Sequence, residues 1–275
     1  MRSAGVRWST YNCNFNNTGN IRGLPDDHVY FTGDWIRANI EIGPFGGLYR
    51  SCLDGQKLAG DQLDIFGNLT EAESGWCPPL GPYGFLGEGD DGTYLFLLDS
   101  GIRAPSQPDL GGWGGRSERN ASVSANLWES VVDERAPNGT EVAYYGTDRF
   151  ISAVQNEFAA RMQWTLTSKY EDANHPPYVK IAQGPRCGGK AGRSVEFEAE
   201  VNDPDGDTVN VSWWQYLEEG TYNGTVQVTA LDAQRASIDI PADATPGQRI
   251  SIILQGTDDG DFPLSRYDRV MIEVS

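Results

Sequence analysis

The chain has 275 residues, of which 39% are hydrophobic and 11% aromatic, a composition typical of one large folded domain or two ordinary ones. Its formal net charge is −18 at pH 7, with 39 acidic against 21 basic residues. Proteins that bind DNA or RNA need a net basic surface, so this charge excludes a nucleic-acid partner but is compatible with Ca²⁺. No apolar stretch reaches the ~18 residues of a membrane span, so we expect no membrane partner.

Residues 1–172 are predicted to mix helices and strands. Residues 34–41 are predicted to form a short helix, and the Gly- and Pro-rich segment 43–92 shows little periodicity. The apolar run 94–98 is typical of a fully buried strand, and a buried helical turn is the alternative that periodicity alone does not exclude. Further helices are predicted over 122–132 and from an N-cap at Asp148 to Ser168. The apolar face of the last helix is predicted to consist of Ile151, Val154, Phe158, Met162 and Leu166.

Residues 178–275 are predicted to form an immunoglobulin-like β-sandwich of about 100 residues. A polar linker, 173–177, ends in two prolines, and beyond it the hydrophobic period changes from 3.6 to 2. In residues 195–201 apolar side chains alternate with glutamates, which predicts one buried and one solvated face. About seven strands are predicted, over 178–183, 194–202, 208–217, 225–230, 235–240, 249–257 and 267–274.

Several sequence features favour export. Six N-x-Ser/Thr sequons are candidate glycosylation sites: Asn16, Asn68, Asn120, Asn138, Asn210 and Asn223. Their number favours a secreted, extracellular glycoprotein of a eukaryotic secretory route. Residues 1–6 lack the apolar core of a signal peptide, so we expect the biological N-terminus to lie elsewhere.

The cysteines are even in number and none forms a C-x-x-C pair, which disfavours zinc and favours one or two disulfides. The disulfide candidates are Cys13, Cys52, Cys77 and Cys187, with three complete pairings open. Buried free thiols are the alternative interpretation.

Three carboxylates, those of Asp203, Asp205 and Asp207, alternate along one predicted turn. Oxygen ligands at this spacing are able to surround Ca²⁺, and Asp258 and Asp259 are candidates to join them from another loop. The alternative is an acidic turn in which the Asp side chains accept hydrogen bonds from backbone N–H groups.

Two adjacent tryptophans on one predicted strand must point to opposite faces of the sheet. If Asn210 is solvent-directed, Trp213 is the core residue, and Trp214 and Tyr216 form an outward aromatic pair. Such a pair either stacks on sugar rings or docks against residues 1–172, in which case Trp214 is largely buried.

A Gly-rich element at 111–116 contains Trp113, a further candidate sugar contact, because small residues allow a ligand to approach the backbone closely. The carboxylates of Glu88 and Asp90 lie in a second Gly-rich element and are candidate metal ligands. His28 and His175 are the only histidines, so a Ser-His-Asp or Cys-His site is poorly supported.

Several of these elements occur together in a recognisable order: GPFGGLY, GEGD with YLFLLDSG, GGWGGR, QNEFAARMQW and ANHPP. In this order they resemble a cellulose-binding family with a nucleoside-hydrolase-like domain followed by an Ig-like domain. The resemblance implies that residues 1–172 are the C-terminal portion of a Rossmann-like hydrolase domain. It also implies that Asp90, with Glu88 beside it, supplies the C-terminal Ca²⁺ ligand, whereas the family's N-terminal aspartate cluster is absent from this sequence.

Three functions are therefore open. The first is polysaccharide binding by a chain with an incomplete hydrolase-like domain, for which the missing N-terminal half is a candidate partner. The second is a fragment of a Ca²⁺-dependent hydrolase of glycosidic bonds, inactive in isolation because a partial metal site cannot orient a water. The third is a structural secreted glycoprotein.

Overall fold

The computed structural model describes residues 25–49, 95, 97–102, 107–130, 133–136, 141–143 and 145–275. Its helices are α1 (Gly33–Asn39), α2 (Gly43–Gly46), α3 (Tyr145–Asp148) and α4 (Ile151–Trp164). Short 3-10 segments lie at Pro25–Phe31, Pro108–Leu110, Tyr170–Asp172 and Leu217–Glu219. The strands of the first part form two hairpins: β1 (Ser117–Arg119) with β2 (Trp128–Ser130), and β3 (Asp133–Arg135) with β4 (Glu141–Ala143).

Helix α1 confirms the helix predicted over 34–41. Thr32 is its N-cap, and the Thr32 Oγ1 atom accepts a hydrogen bond of 3.2 Å from the Trp35 backbone N–H. The helix packs on α4 around a small apolar cluster whose buried members are Phe31, Ile36, Ile40, Ile151, Ala159 and Met162.

The helix predicted over 122–132 is wrong, because its described part, 122–130, forms the turn and second strand of the β1–β2 hairpin. The Asn120 carbonyl accepts from the N–H groups of Val123 and Ser124, and the Asn120 N–H donates to Leu127. The Ser124 Oγ atom also accepts from the Asn126 N–H over 3.4 Å, and side-chain bonds of this kind compete with helix formation. Val123 is 71% exposed, so a helix here would have had no core to cover.

The buried strand predicted over 94–98 is also wrong. Leu95 is helical, and Leu97 lies in a turn with 67% of its surface exposed. A continuous apolar run predicts burial on both faces. Of the three described residues in this run, Leu95 and Leu98 pack against a core and Leu97 does not.

Asp148 is not the N-cap of the long helix but the last residue of α3. Phe150 occupies the cap position of α4 and makes no side-chain cap bond, and the helix ends at Trp164. Leu166 therefore lies beyond the helix and is 48% exposed, whereas Glu157, a charged residue, is buried on the inner face.

Residues 178–274 form two four-stranded sheets. Their strands are β5 (Tyr178–Ile181), β6 (Arg186–Gly189), β7 (Ser194–Asn202), β8 (Asn210–Gln215), β9 (Gln227–Ala230), β10 (Arg235–Asp239), β11 (Arg249–Thr257) and β12 (Ser265–Val274). The strand orders are β5-β7-β10-β9 and β6-β12-β11-β8, and every pair is antiparallel except β6 with β12. The prediction of seven strands missed β6, whose sequence, RCGG, carries no alternation.

The two sheets pack face to face around one apolar core. Phe197 and Ala199 point into it while the intervening glutamates are exposed, which confirms the predicted alternation in β7. Strands β11 and β12 differ because nearly all their side chains are buried, on both faces.

The outer face of these two strands is covered by the first part of the chain. We call the apolar contact between them the junction cluster; its buried members are Ile102, Trp113, Phe150, Ala153, Tyr216, Ile253 and Tyr267. This contact places the end of the Gly-rich element and the start of α4 directly against β8, β11 and β12.

Candidate functional site

The paired tryptophans of β8 point in opposite directions, as predicted. Trp213 packs against the core between the sheets, where its ring stacks on Phe197 with centroids 6.1 Å apart. Trp214 lies in the junction cluster, 6.4 Å from the Phe150 ring. The partial burial of Trp214 against the start of α4 supports the docking interpretation for this ring.

Two of the three aromatic residues proposed as sugar contacts are not available at the surface. Tyr216 is 0% exposed and Trp113 is 2% exposed, so neither presents a ring face to a ligand. A Cβ added to Gly111, which has φ +69°, would lie 2.6 Å from the Tyr216 Oη atom. The small residues around Trp113 therefore allow the backbone to pack on Tyr216 instead of on a ligand.

Arg149, which the sequence analysis missed, lies at the centre of an aromatic group. Its guanidinium carbon is 4.4 Å from the ring centroid of Trp214, 4.6 Å from that of Tyr216 and 5.1 Å from that of Tyr145. Glu218 faces the same guanidinium, with an oxygen–nitrogen distance of 3.7 Å. No sequence motif marks Arg149, because Trp214, Tyr216 and Glu218 come from β8 and the segment that follows it, far from Arg149 in the sequence.

Beside Arg149 is a cavity of about 500 Å³. We call it the junction groove; its lining includes Tyr145, Arg149, Trp214, Gln215, Glu218 and Gln255. The Trp214 Nε1–H donates to the Gln255 Oε1 atom over 3.2 Å, which orients both side chains. Gln215 is held by the backbone of the next loop, donating to Gly224 and accepting from Val226. A concave site with a few fixed polar groups among aromatic rings is typical of small-molecule and sugar recognition.

The three aspartates of the predicted metal turn do come together. One oxygen from each of Asp203, Asp205 and Asp207 lies within 4.8 Å of the other two. The Asp203 Oδ1 atom also accepts from the N–H groups of residues 205, 206 and 207, at 2.8, 3.0 and 3.1 Å. The Oδ1 atom of Asp203 therefore binds backbone N–H groups, as the acidic-turn alternative predicts. The Oδ2 atom of Asp203 forms no such bond and is available to a metal ion.

Asp258 and Asp259 reach the same region from the loop after β11. The Asp259 Oδ1 atom accepts from the Thr208 N–H over 2.8 Å, which ties the two loops together. Burial raises the pKa of Asp258 above its ordinary value. Burial, together with the charges of Asp203, Asp259 and Asp205, raises the pKa of Asp207.

Cys187, one of the four disulfide candidates, is a free thiol, as the alternative interpretation has it. It is half-buried against the core between the sheets, where it packs as a small apolar side chain, and burial raises the pKa of its thiol. Cys13, Cys52 and Cys77 lie outside the described residues.

Three of the predicted sequons fall within the described residues. Asn210 and Asn223 are exposed, whereas the Asn120 Nδ2 atom donates to Glu129 over 2.9 Å. Asn16, Asn68 and Asn138 lie outside the described residues, as do the candidate metal ligands Glu88 and Asp90. Within the described ranges no helix is both long and apolar enough to span a bilayer.

Two family models match the chain, one on each part. The model for "Cellulose-binding Sde182, nucleoside hydrolase-like domain" matches residues 2–117. The model for "Cellulose-binding protein Sde0182, C-terminal domain" matches residues 194–274, in the expected order. The chain belongs to the Sde0182 family. The predicted resemblance is thereby confirmed, including the nucleoside-hydrolase-like first domain.

A solved structure agrees with the Sde0182 assignment over nearly the whole chain. It is a nucleoside hydrolase-related hypothetical protein from Saccharophagus degradans that is associated with carbohydrate metabolism. The match has a TM-score of 0.61 and 24% identity and covers 98% of this chain, so it shows a shared fold. It covers 60% of that protein, so this chain spans less than two thirds of its relative's length.

Two further solved structures match only part of this Sde0182 family member. Domains 4 and 5 of the S-layer protein SbsC match with a TM-score of 0.25 and 18% identity, covering 36% of this chain and 53% of that one. An endo-fucoidan hydrolase of glycoside hydrolase family 107 matches with a TM-score of 0.25 and 17% identity, covering 36% of this chain and 13% of that one. No curated protein matches the chain.

Proposed function

We propose that this chain is a non-catalytic polysaccharide-binding protein that binds a cellulose-like glucan chain in the junction groove. The observation that carries the proposal is the arrangement of Trp214, Arg149 and Gln255 around a cavity of about 500 Å³. The description of the family as cellulose-binding supports a polysaccharide as the ligand class.

The groove combines the two kinds of contact that sugar rings require. The partly exposed ring of Trp214 offers an apolar face for the C–H groups of a sugar. Arg149 and Glu218, with side chains 13% and 10% exposed, are positioned to exchange hydrogen bonds with hydroxyl groups. Because Arg149 is held between aromatic rings, little conformational entropy is lost when a ligand binds.

We further propose that the two-sheet domain is Ig-like. The orders β5-β7-β10-β9 and β6-β12-β11-β8 correspond to the two sheets of an immunoglobulin domain, with β6 as an additional edge strand beside β12. The proposal also includes a Rossmann-like origin for residues 1–172, which the hydrolase-like family match supports. It includes an extracellular, glycosylated protein, which the exposed sequons Asn210 and Asn223 support.

The test is depletion of the protein from solution by insoluble cellulose. Trp214→Ala and Gln255→Ala each remove one groove contact, and we expect each to weaken binding about tenfold, equivalent to about 1.4 kcal/mol. Tyr178→Ala is the matched control, since it removes an aromatic ring that is 53% exposed on β5, away from the groove.

Gln255→Ala is needed beside Trp214→Ala because Trp214 also packs in the junction cluster. Thermal unfolding of each variant separates lost binding from lost folding. If both groove variants fold and bind cellulose as the parent does, or if the parent does not bind cellulose, the groove is not the site.

A further inference from the structure

Three segments of the chain meet at one end of the two-sheet domain. The first is Asn174, between α4 and β5; the second is the turn at 203–207; the third is the loop at 258–261 after β11. The Asn174 Nδ2 atom donates to Asp258 Oδ1 over 3.0 Å and to the Asp261 carbonyl over 2.9 Å. A Cβ added to Gly260 would lie 2.4 Å from Asp207 Oδ2 and 2.6 Å from Asn174 Nδ2, so these two side chains meet over the Gly260 backbone.

Oxygen atoms without partners are buried at this meeting point. Asp258 is 3% exposed; its Oδ1 accepts from Asn174, Gly260 and Leu264, while its Oδ2 has no hydrogen-bond partner. Asp203 Oδ2 and Asn174 Oδ1 are likewise buried and unpartnered. All three atoms are hydrogen-bond acceptors. In each of these side chains the other polar atom already forms hydrogen bonds within the protein.

A buried carboxylate oxygen without a partner is costly, since it loses its hydration and gains nothing in exchange. Among the described residues, no lysine or arginine forms an ion pair with Asp203, Asp207, Asp258 or Asp259. The basic group that does contact the cluster within the described ranges is His175, whose Nδ1 atom lies 3.2 Å from Asp205 Oδ1. A cation from solution would supply the missing partner.

We propose that Asp203, Asp207, Asp258 and Asn174 hold a Ca²⁺ ion at this point, with Asp205 and Asp259 completing the negative charge. Carboxylate and amide oxygens are the ligands Ca²⁺ prefers, and it accepts six to eight of them in flexible geometry. Zn²⁺ fits less well, because it selects nitrogen and sulfur ligands.

This site would join the linker to the two-sheet domain. The Trp164 Nε1–H at the end of α4 donates to the Asn174 carbonyl over 2.8 Å. The ring of the next residue, His175, is stacked on those of Tyr170 and Trp164, with centroids 3.6 and 5.2 Å away. The backbone N–H of His175 donates to Asp205 Oδ2 over 2.6 Å. A cation bound to Asn174 and the aspartates would thus fix the end of α4 against the domain. This inference is independent of the polysaccharide proposal.

The test is thermal unfolding of the whole chain after EDTA treatment, with and without 5 mM CaCl₂ (about one hundred times a Kd of ~50 µM). We expect Ca²⁺ to raise the Tm of the parent by about 5 °C or more. Asp258→Asn and Asp207→Asn keep the side-chain shapes and remove one charge each, and both should abolish this increase. Asp239→Asn, an exposed aspartate on β10, is the matched control and should retain it.

The difference between parent and variants separates this site from any Ca²⁺ held by Glu88 and Asp90. If Asp258→Asn does not fold, calorimetric titration of the parent and of Asp207→Asn with CaCl₂ still tests the proposal. The proposal requires that the parent bind one Ca²⁺ ion that Asp207→Asn does not bind. An unchanged Tm of the parent in Ca²⁺, or an equal increase in the parent and both variants, would overturn the proposal.

Discussion

Glu157 on α4 and Arg266 on β12 form an ion pair that joins the first part of the chain to the two-sheet domain. The Glu157 Oε2 atom is 2.8 Å from Arg266 Nη1, and Oε1 accepts from Arg266 Nη2 over 3.2 Å. Arg161, one turn along α4, donates to the same carboxylate. Burial acts to raise the pKa of Glu157, but the hydrogen bonds and charges of Arg266 and Arg161 outweigh it, so the pKa lies below its ordinary value.

The first prediction concerns Glu157→Gln. A lowered pKa in the folded state stabilises the protein above the unfolded-state value near pH 4.3, and this stabilisation is lost as the pH falls through the folded-state pKa. We expect the variant to lose about 3 kcal/mol of unfolding free energy at pH 7, because Arg266 is left without its partner. The difference from the parent should shrink below about pH 4 in urea unfolding experiments.

Asp34→Asn is the control for this prediction. Asp34 pairs with Arg37 over 2.6 Å, but the two side chains are 96% and 60% exposed. Exposed pairs contribute little, so we expect no measurable change. Equal losses in the two variants would show that burial of the Glu157 pair adds nothing.

The second prediction is that Gly101→Ala disrupts the contact between the two parts of the chain. Gly101 has φ +97°, and an added Cβ would lie 1.7 Å from the Tyr267 carbonyl oxygen, a backbone atom that cannot turn aside. We expect a loss of about 3 kcal/mol or more in unfolding free energy. Gly184→Ala has a similar φ of +80° with nothing within 4 Å, so it measures the conformational cost alone, about 1–2 kcal/mol. Similar losses in both would contradict the close approach at Gly101.

The third prediction concerns alkaline pH. Burial raises the pKa of Tyr267 to about 12. Because the unfolded state releases this proton near pH 10, stability is fully present below pH 10 and falls as the pH rises towards 12. Tyr267→Phe should remove this component, so its unfolding free energy should decline less steeply over that range. A parallel decline in both proteins would show that Tyr267 is not buried.

The fourth prediction separates packing from ligand contact at Trp113. Trp113→Ala should cost about 3–5 kcal/mol, because the side chain is 2% exposed in the junction cluster. Trp113→Phe should cost less and retain cellulose binding, since Trp113 packs behind the groove and is not among the residues that line it. If a folded Trp113→Phe variant lost cellulose binding, Trp113 would be a ligand contact after all.

The sequence predicted the elements whose pattern is set locally. Strict alternation of apolar residues and glutamates located β7, and a single buried face located α1. The opposite orientations of Trp213 and Trp214 follow from the two-residue period of a strand, and the structure confirms them. The aspartates at 203, 205 and 207 converge because they share one turn.

The parts that failed depend on contacts distant in sequence. Leu97 belongs to a run of apolar residues yet is exposed, since only its neighbours meet the junction cluster. Arg149 contacts the ring of Trp214 on β8, and Asn174 contacts Asp258 although 84 positions separate them in the chain. The local periodicity of the sequence does not predict contacts between residues so far apart in the chain.

The burial of β11 and β12 on both faces has a practical consequence. A sandwich that stands alone has one wet face on each sheet, so it can be excised and attached to another protein. Here Ile253 and Tyr267 on the outer face are 0% and 3% exposed only because the preceding residues cover them. A fragment beginning at Tyr178 would present these side chains to water as an aggregation-prone patch. Transplanting this domain therefore requires carrying α4 and the Gly-rich element with it.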